Sequence, residues 1–241
     1  MRLVKLDAID STNNFLKDLI RKEQVDNFTV VSADEQTNGR GQMGSVWASE
    51  KGKNLIMSIL VKDFLIDATL VFDLNMAFSL AVLSVLKRNK IPDVTVKWPN
   101  DIMSGNKKIG GILIENSFKS ENEILSVVGL GLNVNQKNFN HLPQASSLVL
   151  ATGLDYDIVE LMYEIIIQFK ANVTNWSEKK DFFKPEYISS LFKLHQKMLF
   201  KKKDDFVFEG SIIGINPIGK LLIQSDDGIF DFDIKEVQMI F

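Results

Sequence analysis

Residues 37–47 read TNGRGQMGSVW, and the neighbours of this loop constrain the fold more than any other feature. Gly39, Gly41 and Gly44 have the G-x-G-x-x-G spacing of a dinucleotide-binding turn. Such a turn needs a strand directly before it and a helix opening directly after it. The stretch before, TVVSAD at 29–34, reads as a strand. After Trp47 comes ASEKGK and then NLIMSILV at 54–61, a second strand. The loop therefore joins strand to strand, and the dinucleotide reading fails for want of a helix N-terminus. Arg40 sits between the first two glycines. Glycines let backbone N–H groups close on an anion, and a guanidinium adds a planar fork of donors. The competing reading is a surface hairpin carrying an incidental arginine.

The rest of the chain reads as α+β. Leu3–Leu6 is a short strand, and Ser11 or Thr12 caps a helix whose Phe15, Leu16, Leu19 and Ile20 share one face. Residues 75–86 are apolar nearly all round, which predicts a buried helix. VTVKW at 94–98 alternates like a strand and stops at Pro99, so Asn100 and Asp101 are expected at a sheet edge. Residues 107–115 and 123–134 read as a hairpin turning at 119–122. A helix follows from Ile158, capped by Asp157, and another is expected over 185–192. Lys-rich residues 197–203 read as a solvated linker, the alternative being a basic run that meets an acidic carrier protein. From Phe206 on, turns at 216–219 and 226–228 separate four short strands, which suggests a small barrel packed on the larger unit.

Composition removes several classes of function. Apolar residues form 45% of the 241, enough for one large domain with a small companion. A net charge of -3 does not announce a nucleic-acid surface. No cysteine is present, so disulfides, thiolate metal sites and thiol nucleophiles are excluded. With His141 and His195 the only histidines, a zinc site is disfavoured. The start has no secretory or transit pattern. No apolar run reaches the roughly 20 residues of a membrane helix. The expectation is a cytoplasmic protein that binds neither membrane nor nucleic acid.

No histidine stands near a serine in a protease-like pattern. What the sequence offers is positive charge, glycine and amides, in five segments. Arg40 lies in the glycine loop. KWPND at 97–101 ends a strand on a polar pair, which either aims at a ligand or forms an ordinary turn. KKIGGILIE at 107–115 sets two glycines inside an apolar strand, implying a bulge or a close approach, with Lys108 just before them. It is not a P-loop, because no Gly-Lys-Ser/Thr follows. GLGLN at 129–133 again interrupts a strand with glycine. Ser11-Thr12-Asn13 is either a ligand contact or simply a helix cap.

In this order and spacing the segments DSTN at 10–13, QTNGRG at 36–41 with Trp47, KWPND at 97–101, KIGGIL at 108–113 and GLGLN at 129–133 resemble the biotin protein ligases. ASSL at 145–148 matches a further short motif of that family. The resemblance covers most of residues 1–150. It implies a catalytic domain over 1–193 similar to class II aminoacyl-tRNA synthetase cores, with a mixed or antiparallel sheet, and an SH3-like barrel over 194–241. It implies an enzyme that makes biotinyl-adenylate from biotin and ATP with Mg²⁺. The biotin then passes to a lysine on the biotin carboxyl carrier domain of a carboxylase.

By the same resemblance Arg40, Lys108 and Asp101 are the catalytic residues. Biotin is held by Ser11, Thr12, Asn13, Gln36, Gly39, Arg40, Lys108, Gly111 and Gly131, the last two glycines leaving space for its ring and tail. ATP is held by Arg40, Gly41, Gln42, Trp47, Asn100, Lys108 and Asn133, with the indole against adenine. Magnesium comes with the ATP phosphates and takes Asn100 or Asp101 as a protein ligand. Ser11, Thr12 and Gln36 supply the donors and acceptors that a ureido ring needs. A buried polar pocket of this kind rejects ligands without such groups. That disfavours the related lipoate ligases, and an octanoyltransferase would need the missing thiol. A non-catalytic biotin or nucleotide sensor is the reading from another class, and it has no use for both Arg40 and Lys108. Catalytic motifs begin within the first 13 residues, so no operator-binding domain and no repressor role is expected. The 129–133 strand is a candidate edge for a homodimer.

The chain departs from the resemblance at Gln42, where many such ligases carry arginine, linked there to ordering the loop over the adenylate. Gln42→Arg is predicted to slow the escape of labelled biotinyl-adenylate. An unchanged release rate contradicts this.

Overall fold

The computed structural model describes residues 2–62, 64, 71–120, 123–139 and 142–240. Serine at the first cap sets the chain's opening: Ser11 Oγ accepts from the Asn14 N–H, and α1 (Thr12–Lys22) follows β1 (Leu3–Leu6). β2 (Val30–Ala33) returns parallel to β1. β3 (Asn54–Lys62) pairs antiparallel with β2 and with β7 (Glu123–Asn133). β4 (Val94–Lys97), β5 (Asp101–Ser104) and β6 (Lys107–Ser120) complete a seven-stranded sheet in the order β1-β2-β3-β7-β6-β5-β4.

β3 is buried on both faces, which is why it reads as an apolar run interrupted only by Ser58. Its Leu55, Met57, Ile59 and Val61 join the large core with α2 (Val71–Arg88) and α4 (Ile158–Thr174). Buried Leu161, Met162, Ile165, Ile166 and Phe169 form the inner stripe of α4, and Phe169 meets Phe78 edge-on with ring centroids 4.7 Å apart. Leu60 of β3 points the other way, to Leu16 of α1 with Val31, Leu125 and Val127. α1 covers only part of that second face, and the functional site occupies the remainder.

Five strands, β8 (Lys197–Lys202), β9 (Val207–Ile215), β10 (Leu221–Ser225), β11 (Gly228–Phe232) and β12 (Val237–Ile240), form an antiparallel sheet in the order β11-β10-β9-β8-β12. Its Phe200, Ile212, Leu221 and Ile223 belong to the same apolar cluster as α2. The two sheets are also tied by a polar contact. Trp98 Nε1, next to β4, donates to Gly219 O in the β9–β10 turn at 2.9 Å.

Several expectations require correction. Asn100 and Asp101 do not lie at a sheet edge. Pro99 only turns the chain, and β5 begins at Asp101 and pairs with both β4 and β6. The 129–133 strand is no edge either, because β7 is hydrogen-bonded along its length to β3 and β6. The last long helix, α5 (Trp176–Ser189), starts nine residues before Pro185, held down by buried Trp176, Phe183 and Tyr187. The expected linker at 197–203 is mostly β8, because its alternation buries Phe200 completely. It adds a fifth strand to the four expected. Of the expected hairpin turn at 119–122, residues 121 and 122 lie outside the described residues. Among the described residues no helix is long and apolar enough to cross a membrane.

The buried Trp98–Gly219 bond gives a direct test of how the two sheets hold together. Trp98→Phe removes the donor and leaves the Gly219 carbonyl unpaired, a loss of about 1–3 kcal/mol. Urea unfolding is predicted to show that loss, and an unshifted midpoint contradicts it.

Candidate functional site

The site is built by period-two alternation in three adjacent strands. On the face shared with α1, β6 presents Gly111 and Leu113, β7 presents Gly129 and Gly131, and β3 presents Ile56 and Ser58. The register aligns Gly131 with both Gly111 and Ile56, and Gly129 with both Leu113 and Ser58. Bare glycines side by side leave a trough in the sheet. Two side chains reach into it so closely that a Cβ would collide. At Gly129 a Cβ would stand 2.5 Å from Asn13 Oδ1, and at Gly131 2.4 Å from Trp47 Cε2.

The glycine loop closes over this trough as a hairpin. Trp47 N donates to Gly39 O at 2.9 Å and Gly41 N to Ser45 O at 2.7 Å, with a 3-10 turn, Gln42–Gly44, at the tip. Strand-to-strand connection is thus the structural outcome of the G-x-G-x-x-G spacing here. Gly39 is required because a Cβ there would stand 2.4 Å from Trp47 O. Met43 at the tip has φ 55°.

Together these elements enclose a cavity of about 570 Å³. Of the residues expected from sequence, Ser11, Thr12, Asn13, Gln36, Arg40, Gly41, Gln42, Trp47, Asn100, Asp101, Lys108, Gly111 and Gly131 line it. Arg40 and Lys108, from separate segments, face the same space. Two expected residues do not line it. Gly39 is a buried part of the hairpin itself, packed against the Trp47 backbone. Asn133 is buried, and its Nδ2 donates to Ser146 O at 2.9 Å. Asn133 thereby supports the segment that fixes Lys108, whose N–H donates to Gln144 O at 2.7 Å while its carbonyl accepts from Ser146 N at 2.8 Å. That is the structural use of the ASSL stretch.

Polar contacts at one end of the cavity are dense. Thr12 N and Thr12 Oγ1 donate to Gln36 Oε1 at 2.8 and 3.1 Å. Ser58 Oγ stands 2.7 Å from Thr12 Oγ1 and 2.6 Å from Asn13 Oδ1. Asn13 Nδ2 donates to Glu115 Oε2 at 2.8 Å, and Lys17 Nζ to Glu115 Oε1 at 2.8 Å. Burial pushes the Glu115 carboxyl upward, but the hydrogen bonds from Lys17 and Asn13, with the positive charges of Lys17 and Arg40, outweigh it, and the group titrates below its ordinary value. Near the other end Lys108 Nζ pairs with Asp101 Oδ1 at 2.5 Å and lies 5.8 Å from the Trp47 ring centroid. Burial lowers the neighbouring Lys97, Asp101 opposes that shift and Lys108 reinforces it.

The Trp47 indole fills the space above Gly131 and packs 3.5 Å from the position a Gly111 Cβ would take. Its Nε1 is buried with no hydrogen-bond partner, an arrangement that carries a free-energy cost. Among the described residues no three His, Cys, Asp or Glu side chains gather as a metal site requires.

Sequence reasoning missed Ser58 and Lys235. Ser58 was detectable as the one hydroxyl within the apolar run of β3. Lys235 enters from the second sheet and lines the same cavity, and nothing local in its sequence signals that placement.

Residues 6–135, more than half of the 241, match the Biotin/lipoate A/B protein ligase family, and the chain belongs to that family. It is 28% identical over 235 residues to the bifunctional ligase/repressor BirA of Bacillus spizizenii, covering 94% of this chain and 70% of that protein. It is 28% identical over 179 residues to the biotin–[acetyl-CoA-carboxylase] ligase of Mycobacterium tuberculosis, covering 71% of this chain and 65% of that protein. Among solved structures it resembles the Aquifex aeolicus biotin protein ligase in complex with biotin and ATP, with a TM-score of 0.81 and 28% identity over 99% of this chain and 98% of that one.

The depressed Glu115 carboxyl predicts a pH signature. Its stabilisation is fully present above the unfolded value of 4.5 and is lost as the pH falls below it. Wild type should melt higher than Glu115→Gln at pH 7, and the gap should close below pH 4.5. A gap that is constant with pH contradicts the assignment.

Proposed function

We propose that the chain is an ATP-dependent biotin protein ligase acting on the biotin carboxyl carrier domain of a carboxylase. The observation that carries this reading is the shared cavity of Arg40 and Lys108, lined at its other end by a polar set suited to a ureido ring. In the first half-reaction a biotin carboxylate oxygen attacks the α-phosphorus of ATP and pyrophosphate leaves. Two anions must approach, and fixed cations and N–H donors offset their repulsion and stabilise the charge that develops. Arg40 and Lys108 supply that charge, and the loop that carries Arg40 holds the two reactants in line. In the second half-reaction the carrier lysine attacks the carbonyl of the mixed anhydride and AMP leaves. Asp101, 2.5 Å from Lys108, orients that ammonium and is the carboxylate available to take the incoming amine's proton. No covalent enzyme intermediate is required, which agrees with the absence of cysteine.

Biotin's ureido group is assigned to Ser11, Thr12, Asn13 and Gln36, and its ring to the trough over Gly111 and Gly131. Binding there moves the Trp47 indole out of the trough, where its flat face becomes available to adenine. Asn100 and the Gly41–Gln42 backbone are assigned to the nucleotide. Asn133 acts on ATP only through the Ser146 segment behind Lys108. Magnesium fits as an ion carried by the phosphates, since it needs one or two protein groups at most and the residues at hand are Asp101 and Asn100. We read residues 1–193 as the catalytic domain, similar to class II aminoacyl-tRNA synthetase cores, and 194–241 as an SH3-like barrel. Both assignments, and a cytoplasmic setting, belong to this proposal.

Biotin-dependent exchange of pyrophosphate into ATP tests the reading, with avidin capture of a carrier domain for the second step. Arg40→Ala and Lys108→Ala should each lower exchange by about 100- to 1,000-fold. Exchange driven by lipoate and not by biotin, or no exchange with either, would overturn it.

A further inference from the structure

Lys235 stands at an unusual position for a lysine. It lies in the turn before β12, closed by Glu236 N donating to Asp233 O at 3.1 Å, with φ 67°, a backbone conformation that favours glycine. Its Nζ crosses from the second sheet to the glycine hairpin and donates to Met43 O at 3.2 Å. It lines the main cavity and also a neighbouring cavity of about 460 Å³, which Lys97, Lys201, Lys202 and Lys203 line as well. Three lysines of this region are matched by acids, Lys197 by Glu209, Lys201 by Asp205 and Lys220 by Asp233, and Lys202 lies over the Phe208 and Phe232 rings. Among the described residues no carboxylate pairs with Lys235. The hairpin tip it touches, Gln42-Met43-Gly44-Ser45, carries no charge of its own. An ammonium without a carboxylate partner, on a backbone suited to glycine, is thus held beside the cavity against an uncharged loop.

We propose that Lys235 is a positioning residue for the adenylate: it latches the glycine hairpin through the Met43 carbonyl and supplies positive charge at the cavity mouth for the phosphate beneath. This rests on the ligase reading given above. The geometry makes the C-terminal sheet part of the site, because closure of the loop then depends on a side chain from β12's turn.

Three variants separate charge from backbone. Lys235→Gly removes the side chain and relaxes the turn. Lys235→Met keeps a similar stem without charge, and Lys235→Arg keeps the charge. Labelled biotinyl-adenylate formed on each enzyme is chased with unlabelled biotin and ATP, and its release rate is measured beside KM for ATP and the melting temperature. Glycine and methionine should both speed release about tenfold and raise KM for ATP with biotin KM unchanged. Arginine should stay within about twofold of wild type. Lys235→Gly should melt no lower than wild type, and adding Gln42→Arg to it should restore slow release. Unchanged release in the glycine and methionine variants overturns the proposal. So does equal loss in the arginine and methionine variants, which would assign Lys235 a merely structural part. If wild type forms no adenylate, the ligase reading fails and this proposal falls with it.

Discussion

Two cations cannot be held toward one small space unless something opposes their repulsion, and the architecture is organised around that constraint. Lys108 is neutralised in place by Asp101 at 2.5 Å, and its backbone is clamped on both sides by the 144–146 segment. Arg40 comes from a hairpin whose glycines bring backbone to backbone. An anion entering the cavity therefore meets Lys108 already held in place, with Arg40 carried on the hairpin that closes over the same space.

The glycines serve this arrangement by removing side chains from one face of the sheet. Gly111, Gly129 and Gly131 fall on alternate positions of β6 and β7, so the trough is a direct consequence of strand periodicity. The same strands bury Val128, Leu130 and Leu132 on the opposite face against α2. Core packing and site geometry are thus set by the two faces of the same few strands. A one-residue slip in register would exchange them.

Much of this was legible from residues alone because it is local. The apolar run of β3, the capped α1 and the apolar α2 announced themselves by period, and the loop's neighbours excluded a dinucleotide turn. β5 was hidden because four residues after a proline carry no periodicity, and its role comes from partners on both sides. Nothing local in β7 marks it as central, because its pairing to β3 and β6 is a tertiary fact. β8 was masked by lysines whose stems cover an apolar sheet, with buried Phe200 as its anchor. Thirteen of the expected site residues share the cavity, since motif spacing preserves what one strand face presents. Ser58 and Lys235 escaped because their relevance depends on which segments the fold brings opposite them.

The central claim is that one anion is gripped by two cations from separate elements. A crystal structure of the chain with a non-hydrolysable biotinyl-adenylate analogue tests it most directly. The account predicts the Arg40 guanidinium and the Lys108 ammonium both within about 3 Å of oxygens at the acyl-phosphate junction, with the analogue's ureido ring among Thr12, Asn13 and Gln36. An analogue bound with its phosphate outside this cavity, or with only one of the two cations near it, contradicts the account.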